Sequence, residues 1–154
     1  FRMLDAGKTA AEIAAALEEE KKKIVVVALV DTLEYLKKGG RISKTVAFAG
    51  AMLNIKPVLS VVCGEIQMLG KARGSKMGNN LLVQEINKAG GIDFSKPVLL
   101  GYSGISDALL KKYIEDSRHI WEGNLEEVRY TTVGSVIGTH CGPGAVVVAF
   151  FQNP

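Results

Sequence analysis

The run Ile24-Val25-Val26-Val27-Ala28-Leu29-Val30 narrows the choice of folds more than any other stretch of the chain. β-Branched side chains are stiff about χ1 and crowd a helix, yet they fit a pleated strand well. No polar residue interrupts the run, so neither face is left for water. The pattern predicts a strand covered on both sides or nearly so. Ala145 to Phe151 repeats the theme near the other end and reads as a final strand. Strands of this kind need helices to cover them.

Those helices are written into the intervening sequence. Thr9-Ala10-Ala11-Glu12 is a capping box, followed by an Ile13, Ala16, Leu17 stripe and a Glu/Lys tail facing water. Asp31 is placed to cap a second helix with Leu33 and Leu36 inward, ended by Lys37, Lys38 and Gly39-Gly40. Ser43 opens a third helix through Thr45, Phe48, Ala49, Met52 and Leu53, which Asn54 to Pro57 would end. Val58 to Val62 and Ile66 to Leu69 form a hairpin about Cys63-Gly64. A helix then runs to about Lys88, stopped by Gly90-Gly91. Pro97 to Tyr102 is a strand, and Ser106 caps a helix with Leu109, Leu110, Tyr113 and Ile114 on its apolar face. Glu127 to Val133 alternates as a half-exposed strand, and Gly134 to Thr139 makes a short helix. A hairpin inside an otherwise alternating order predicts an α/β (α+β) fold: a mixed or antiparallel sheet with helices packed on it. The chain has 154 residues, enough for one domain with a real core.

Composition removes several functions. Apolar residues make up 47% and charged residues 23%, with a net charge of +3. That balance gives no footprint for nucleic acid or an anionic membrane, and Lys21-Lys22-Lys23 suits a helix end. No apolar run reaches the roughly 18 to 20 residues of a membrane span. Cys63 and Cys141 lie far apart without C-x-x-C spacing, which fits a reducing cytoplasm better than a disulfide framework. The chain opens at Phe1, part-way into a helix or its lead-in, and reads as a piece of something longer.

Little of the remaining chemistry survives inspection. Gly70-Lys71-Ala72-Arg73-Gly74-Ser75-Lys76 lacks the spacing and Lys-Ser order of a nucleotide loop, although Arg73 and Lys76 beside a helix start could meet an anion. His119 and His140 have no second ligand at helical spacing, so no metal site is predicted. Cys141 next to His140 is a poor nucleophile pair, because adjacent side chains rarely face each other. The stiff loop from Gly138 to Ala145 is what remains. It holds His140 between glycines and Pro143, and an imidazole there can donate to a carboxylate or a phosphate.

Four blocks, in order, resemble the bacterial DegV family. They are Asp31 to Ser43 around Gly39-Gly40-Arg41, Leu53 to Leu59, Lys71-Ala72-Arg73-Gly74, and Gly134 to Gly144 around His140. Cys141 departs from the small residue, often Thr, usual in that family. The resemblance implies a two-domain protein that binds a long-chain fatty acid in a tunnel between its domains. It presents the lipid's carboxyl group to a fatty acid kinase catalytic subunit for acyl phosphate formation and phospholipid synthesis. Residues 1–154 would be the C-terminal domain, with 1–23 a connecting helix from an absent N-terminal domain that supplies the rest of the site. By the same resemblance His140, Thr139 and Arg41 would hold the head group, and Arg73 would serve kinase docking or the head-group end. Phe48, Met52, Leu53 and Ile55 are candidates for the tunnel wall. The implied protein is cytoplasmic, uses no cofactor and is a lipid-presenting subunit, not an enzyme. Two other readings stay open: a phosphotransferase or hydrolase using His140, and an interaction domain that docks a kinase.

Overall fold

The computed structural model describes residues 1–42 and 54–154. The chain opens with α1 (Arg2–Asp5) and α2 (Ala10–Glu20), then a 3-10 turn over Lys21–Lys23. Next come β1 (Ile24–Leu29), α3 (Glu34–Lys38), β2 (Ile55–Val62), β3 (Glu65–Arg73) and α4 (Gly74–Lys88). β4 (Leu99–Tyr102), α5 (Ala108–Asp116), α6 (Arg118–Trp121), β5 (Tyr130–Thr132), α7 (Ser135–Cys141) and β6 (Val146–Phe151) complete it. The strands make one sheet in the order β3-β2-β1-β6-β4-β5. Every pairing is antiparallel except β4 with β5, so the sheet is mixed, as the hairpin in the sequence predicts.

The two apolar runs lie side by side at the centre of the sheet. Val27 stands opposite Ser60 and Val148, and Leu29 opposite Val58 and Val146. Side chains alternate along a strand, so these residues share one face. That face is closed by α4 and α5 through Leu82, Ile86, Leu110 and Tyr113, with Trp121 and Phe150 completing the cluster. Each such side chain contributes about 1.5–3 kcal/mol when fully buried. On the other face a smaller cluster of Val30, Leu36, Leu59 and Ala145 gathers under α3, with Cys141 against it. Beyond that patch the second face keeps Val61 and Leu99 each 49% exposed.

Local signals explain most of the boundaries. The Thr9–Glu12 capping box forms in full, with Thr9 N–H donating to Glu12 Oε2 at 2.8 Å. The hairpin turn puts both Cys63 (φ 51°) and Gly64 (φ 83°) in the left-handed region, the geometry that matches the twist of its strands.

Several expectations fail for physical reasons. Asp31 caps nothing; its carboxylate pairs with Lys56, and the Thr32 hydroxyl accepts from Glu34 N–H at 3.2 Å instead. Ile55 to Pro57 are the start of β2, not a loop between helix and strand, and Pro57 accepts from Val30 N–H at 3.0 Å. The hairpin strands are longer than predicted, because β3 runs on through Lys71 to Arg73. The α2 stripe is not buried, and β5 is exposed along its length. Leu109 remains partly exposed, while Ser106 Oγ accepts from Ala108 N–H at 3.3 Å with Asp107 as the N-cap. Phe48, Met52 and Leu53, with the helix expected over them, lie outside the described residues.

Candidate functional site

Strand register brings the four sequence blocks to one end of the sheet. Leu29 at the end of β1 is opposite Val58 near the start of β2 and Val146 at the start of β6. Arg73 at the end of β3 faces Ile55 at the start of β2. Tyr102 at the end of β4 faces both Val146 and Thr132. Segments distant in sequence therefore emerge together at this end. They comprise the turn into α3, Asn54, the β3–α4 junction, the loop after β4, and α7 with its exit loop.

The segment from Gly138 to Ala145 is more helical than its sequence suggests. α7 continues through Cys141, so His140 occupies the last helical turn and not a loop. The helix ends at Gly142, whose φ of 75° suits only glycine. Tyr35 of α3 and Gly39, the residue that caps it one turn later, shape this end. A Cβ on Gly142 would overlap the Tyr35 ring, lying 2.7 Å from its Cε2. A Cβ on Gly39 would overlap the His140 ring at Nδ1 and lie 2.8 Å from Cε1. Gly39 has an ordinary helical φ of −78°, so here glycine is required by space and not by backbone conformation.

From the opposite side Ser103 fastens the exit loop. Its hydroxyl donates to the Gly142 carbonyl and accepts from Ala145 N–H at 3.0 Å. Its backbone N–H donates to the Ala145 carbonyl at 3.1 Å, and its carbonyl accepts from Gly144 N–H at 2.9 Å. With every group paired, a serine only 2% exposed stabilises the loop instead of leaving an unmet buried polar group. Sequence reasoning missed Ser103; its one signal is position, directly after an apolar strand and before Gly104, whose φ is 101°.

The residues singled out in the sequence separate into two places. Arg41 Nη1 donates to the Gly39 carbonyl at 2.9 Å, and Arg41 N–H donates to Leu36 O at 2.9 Å. Arg41 and His140 thus meet on the two sides of one glycine. Thr139 is next to them, but its hydroxyl donates to Ser135 O at 2.8 Å, leaving its oxygen as an acceptor. Arg73 and Ile55 sit elsewhere, at the β3 edge of the sheet. β3 is three strands from β6, about 14 Å at ordinary strand spacing. The strand that follows His140 is thus set apart in the sheet from the strand that ends at Arg73. Cys141 hydrogen-bonds weakly to Gly138 O at 3.8 Å and Gly142 O at 3.6 Å, so its thiol faces backbone carbonyls.

His140 is half-buried, and its Nδ1 is enclosed without a hydrogen-bond partner among the described residues. Val136 and Ile137 precede it by four and three positions, so all three lie on one side of α7. Val136 is 73% exposed and Ile137 61%. The sequence reading did not include them; their apolar character alone does not distinguish a ligand wall from core. The arrangement is an uncovered apolar strip that ends in an imidazole with an arginine beside it. Asp31, Lys56, Ser75, Asn79 and Lys112, together with apolar Leu29, Val30, Leu109 and Val146, line a small cleft that Gly144 also borders. No group of three or more His, Cys, Asp or Glu side chains placed to hold a metal occurs among the described residues. No described helix is long and apolar enough to cross a membrane.

A family model described as "Uncharacterised protein, DegV family" matches residues 1–153. A DegV domain-containing protein of Caldanaerobacter subterraneus subsp. tengcongensis is 31% identical over 154 residues, covering 99% of this chain and 53% of that protein. The chain therefore spans about half the length of the curated relatives it matches. Among solved structures, a fatty-acid-binding DegV family protein from Thermus thermophilus is 29% identical with a TM-score of 0.77. That match covers 98% of this chain and 54% of the other. The Streptococcus pneumoniae Fatty Acid Kinase (Fak) B3 protein, loaded with linoleic acid, shares the fold with a TM-score of 0.83. It is 20% identical, and the match covers 99% and 53% of the two chains.

Proposed function

We propose, from the premise that the chain belongs to the DegV family, that it forms one wall and part of the head-group site of a long-chain fatty acid carrier. The observation that carries this reading is the α7 strip. Val136 and Ile137 are apolar and uncovered, and His140, on the same side of the helix, is seated against Gly39 with Arg41 on that residue's carbonyl. An amphiphile needs this order of groups: surface that gains by leaving water, then donors for a carboxylate. Burying the alkyl chain contributes about 0.8 kcal/mol per methylene.

In this reading residues 1–154 are the C-terminal domain of a two-domain protein, and 1–23 connect it to the N-terminal domain that completes the tunnel. His140 donates to the carboxylate. Arg41 adds the guanidinium N–H groups not used on Gly39, and Thr139 lines the same corner. The lipid's carboxyl group is held open to a fatty acid kinase catalytic subunit, which forms the acyl phosphate. Arg73, at the end of the edge strand β3, is suited to docking that partner, because an arginine fork can meet a carboxylate or phosphate of another protein. The chain itself carries out no bond-making step; it binds, orients and presents.

Native mass spectrometry of the protein in its full natural length tests the first step. A bound fatty acid is expected, exchangeable with added lipid; its consistent absence would sink the proposal. Adding a fatty acid kinase catalytic subunit and ATP should then yield acyl phosphate, trapped by hydroxylamine. Arg73→Glu should abolish that product while leaving lipid uptake intact. Loss of lipid uptake in Arg73→Glu would instead move Arg73 into the head-group site.

A further inference from the structure

We infer that Gly39 and Tyr35 are positioning residues which fix the His140 imidazole in one tautomer, with its proton on Nε2 and a bare nitrogen at Nδ1. Tyr35 lies in α3, and Gly39 caps it one turn later. Tyr35 lies where a side chain on Gly142 would be, which sets where α7 stops. Gly39 leaves the space that the Nδ1 edge of the ring fills. Nδ1 and the Tyr113 hydroxyl are the buried side-chain polar atoms without a partner among the described residues; Nε2 is not one of them.

The tautomer follows from that enclosure. A proton on Nδ1 would be a buried donor with no acceptor, whereas a bare Nδ1 leaves only a lone pair unmet. The ring proton therefore sits on Nε2, the nitrogen left to meet a ligand. An imidazole so held is a hydrogen-bond donor at Nε2 and not a general base there. The carboxylate as its target rests on the reading given under Proposed function. On that reading the device explains how a histidine beside a bound carboxylate holds the anion without activating water. It also explains why the Gly39-Gly40-Arg41 block and the His140 block occur together: one supplies the seat for the other.

Long-range proton–nitrogen NMR on the full-length protein labelled with 15N-histidine reads the tautomer directly, with His140→Ala assigning the signals. The expected result is a bare-nitrogen shift for Nδ1 and a protonated Nε2, with or without fatty acid. A protonated Nδ1 would overturn the inference. A double-mutant cycle supplies the second measurement. Gly39→Ala in the otherwise natural protein should lower the melting temperature, scramble the His140 tautomer and weaken fatty acid binding by about tenfold, the scale of one hydrogen bond to a charged group. In the His140→Ala background the same Gly39→Ala change should cost much less, because the ring that fills its space is gone and only the Tyr35 carbonyl, 3.2 Å from the added Cβ, remains close. If Gly39→Ala prevents folding beside His140, the His140→Ala background still decides the matter. Equal damage in both backgrounds would show that Gly39 serves the backbone and not the imidazole. The lipid-free NMR and the melting cycle both stand without any bound lipid. A protein that passes both yet never carries a fatty acid would refute the proposed function and leave this inference standing.

Discussion

The two faces of the sheet are built to different ends. On one, Val27, Leu29, Val58, Val146, Val148 and Phe150 disappear beneath α4 and α5. On the other, α3 covers a small cluster at one end, while Val61, Leu99, Val136 and Ile137 stay open. Val136 and Ile137 are the neighbours among these, adjacent on one helix and both well exposed. The closed face accounts for why the chain folds. The open face, with His140 at its polar end, is where a ligand or the remainder of a longer protein has something to gain.

The largest effects should fall on the closed face. Phe150→Ala and Leu82→Ala each remove a fully buried side chain, and each should cost about 3–5 kcal/mol in urea unfolding. Fatty acid affinity, measured well below the unfolding midpoint, should change little. Equal losses in affinity and stability would show that the division between the faces is false.

His140→Ala should do the reverse. A hydrogen bond to a carboxylate is worth about 1.5–3 kcal/mol, so affinity should drop by about tenfold or more in isothermal titration. Stability should hold or improve, since the change also removes an enclosed nitrogen with no partner. Val136→Lys sharpens the contrast further. A side chain already 73% exposed should accept the charge within about 0.5 kcal/mol of stability. The same ammonium beside an alkyl chain should displace the lipid.

The closed face was the more legible in the sequence, for a physical reason. Ile24 to Val30 and Ala145 to Phe151 announce themselves by composition, and strand type, helix caps and the Cys63-Gly64 turn depend on neighbours along the chain. The site depends on neighbours across it. Ser103 and Gly142 are 39 residues apart, and nothing local marks that serine as the clasp of the loop. The Asp31 cap failed because a cross-strand lysine competes for its carboxylate. The block that includes Arg41 and the block that includes His140 could be recognised by resemblance. That they meet on Gly39 could not be read until both were placed in space. Arg73, which resemblance assigns to kinase docking or the head-group end, ends the edge strand β3, and its place in the strand order was not legible either.

The smallest effect should come from neither face but from the end of the sheet away from the site. There Glu20 Oε1 meets Lys23 Nζ at 2.9 Å, and Glu20 Oε2 meets Lys96 Nζ at 2.8 Å, which ties the end of α2 to the segment before β4. The Lys96 hydrogen bond first, and then Lys23, lower the Glu20 pKa from its ordinary 4.5 to about 2. A carboxylate held down in the folded state adds stability that is fully present above the unfolded value and lost as pH falls through the folded one. The difference between the natural protein and Glu20→Gln should therefore be constant above pH 4.5 and close as the pH approaches about 2. Added salt should shrink it at every pH, because both lysines remain partly in water. Fatty acid binding at neutral pH should be the same in both proteins. A Glu20→Gln protein with weakened binding would mean that the two ends of the sheet are mechanically linked, and the separation of stability from function would have to be redrawn along the strands instead of across them.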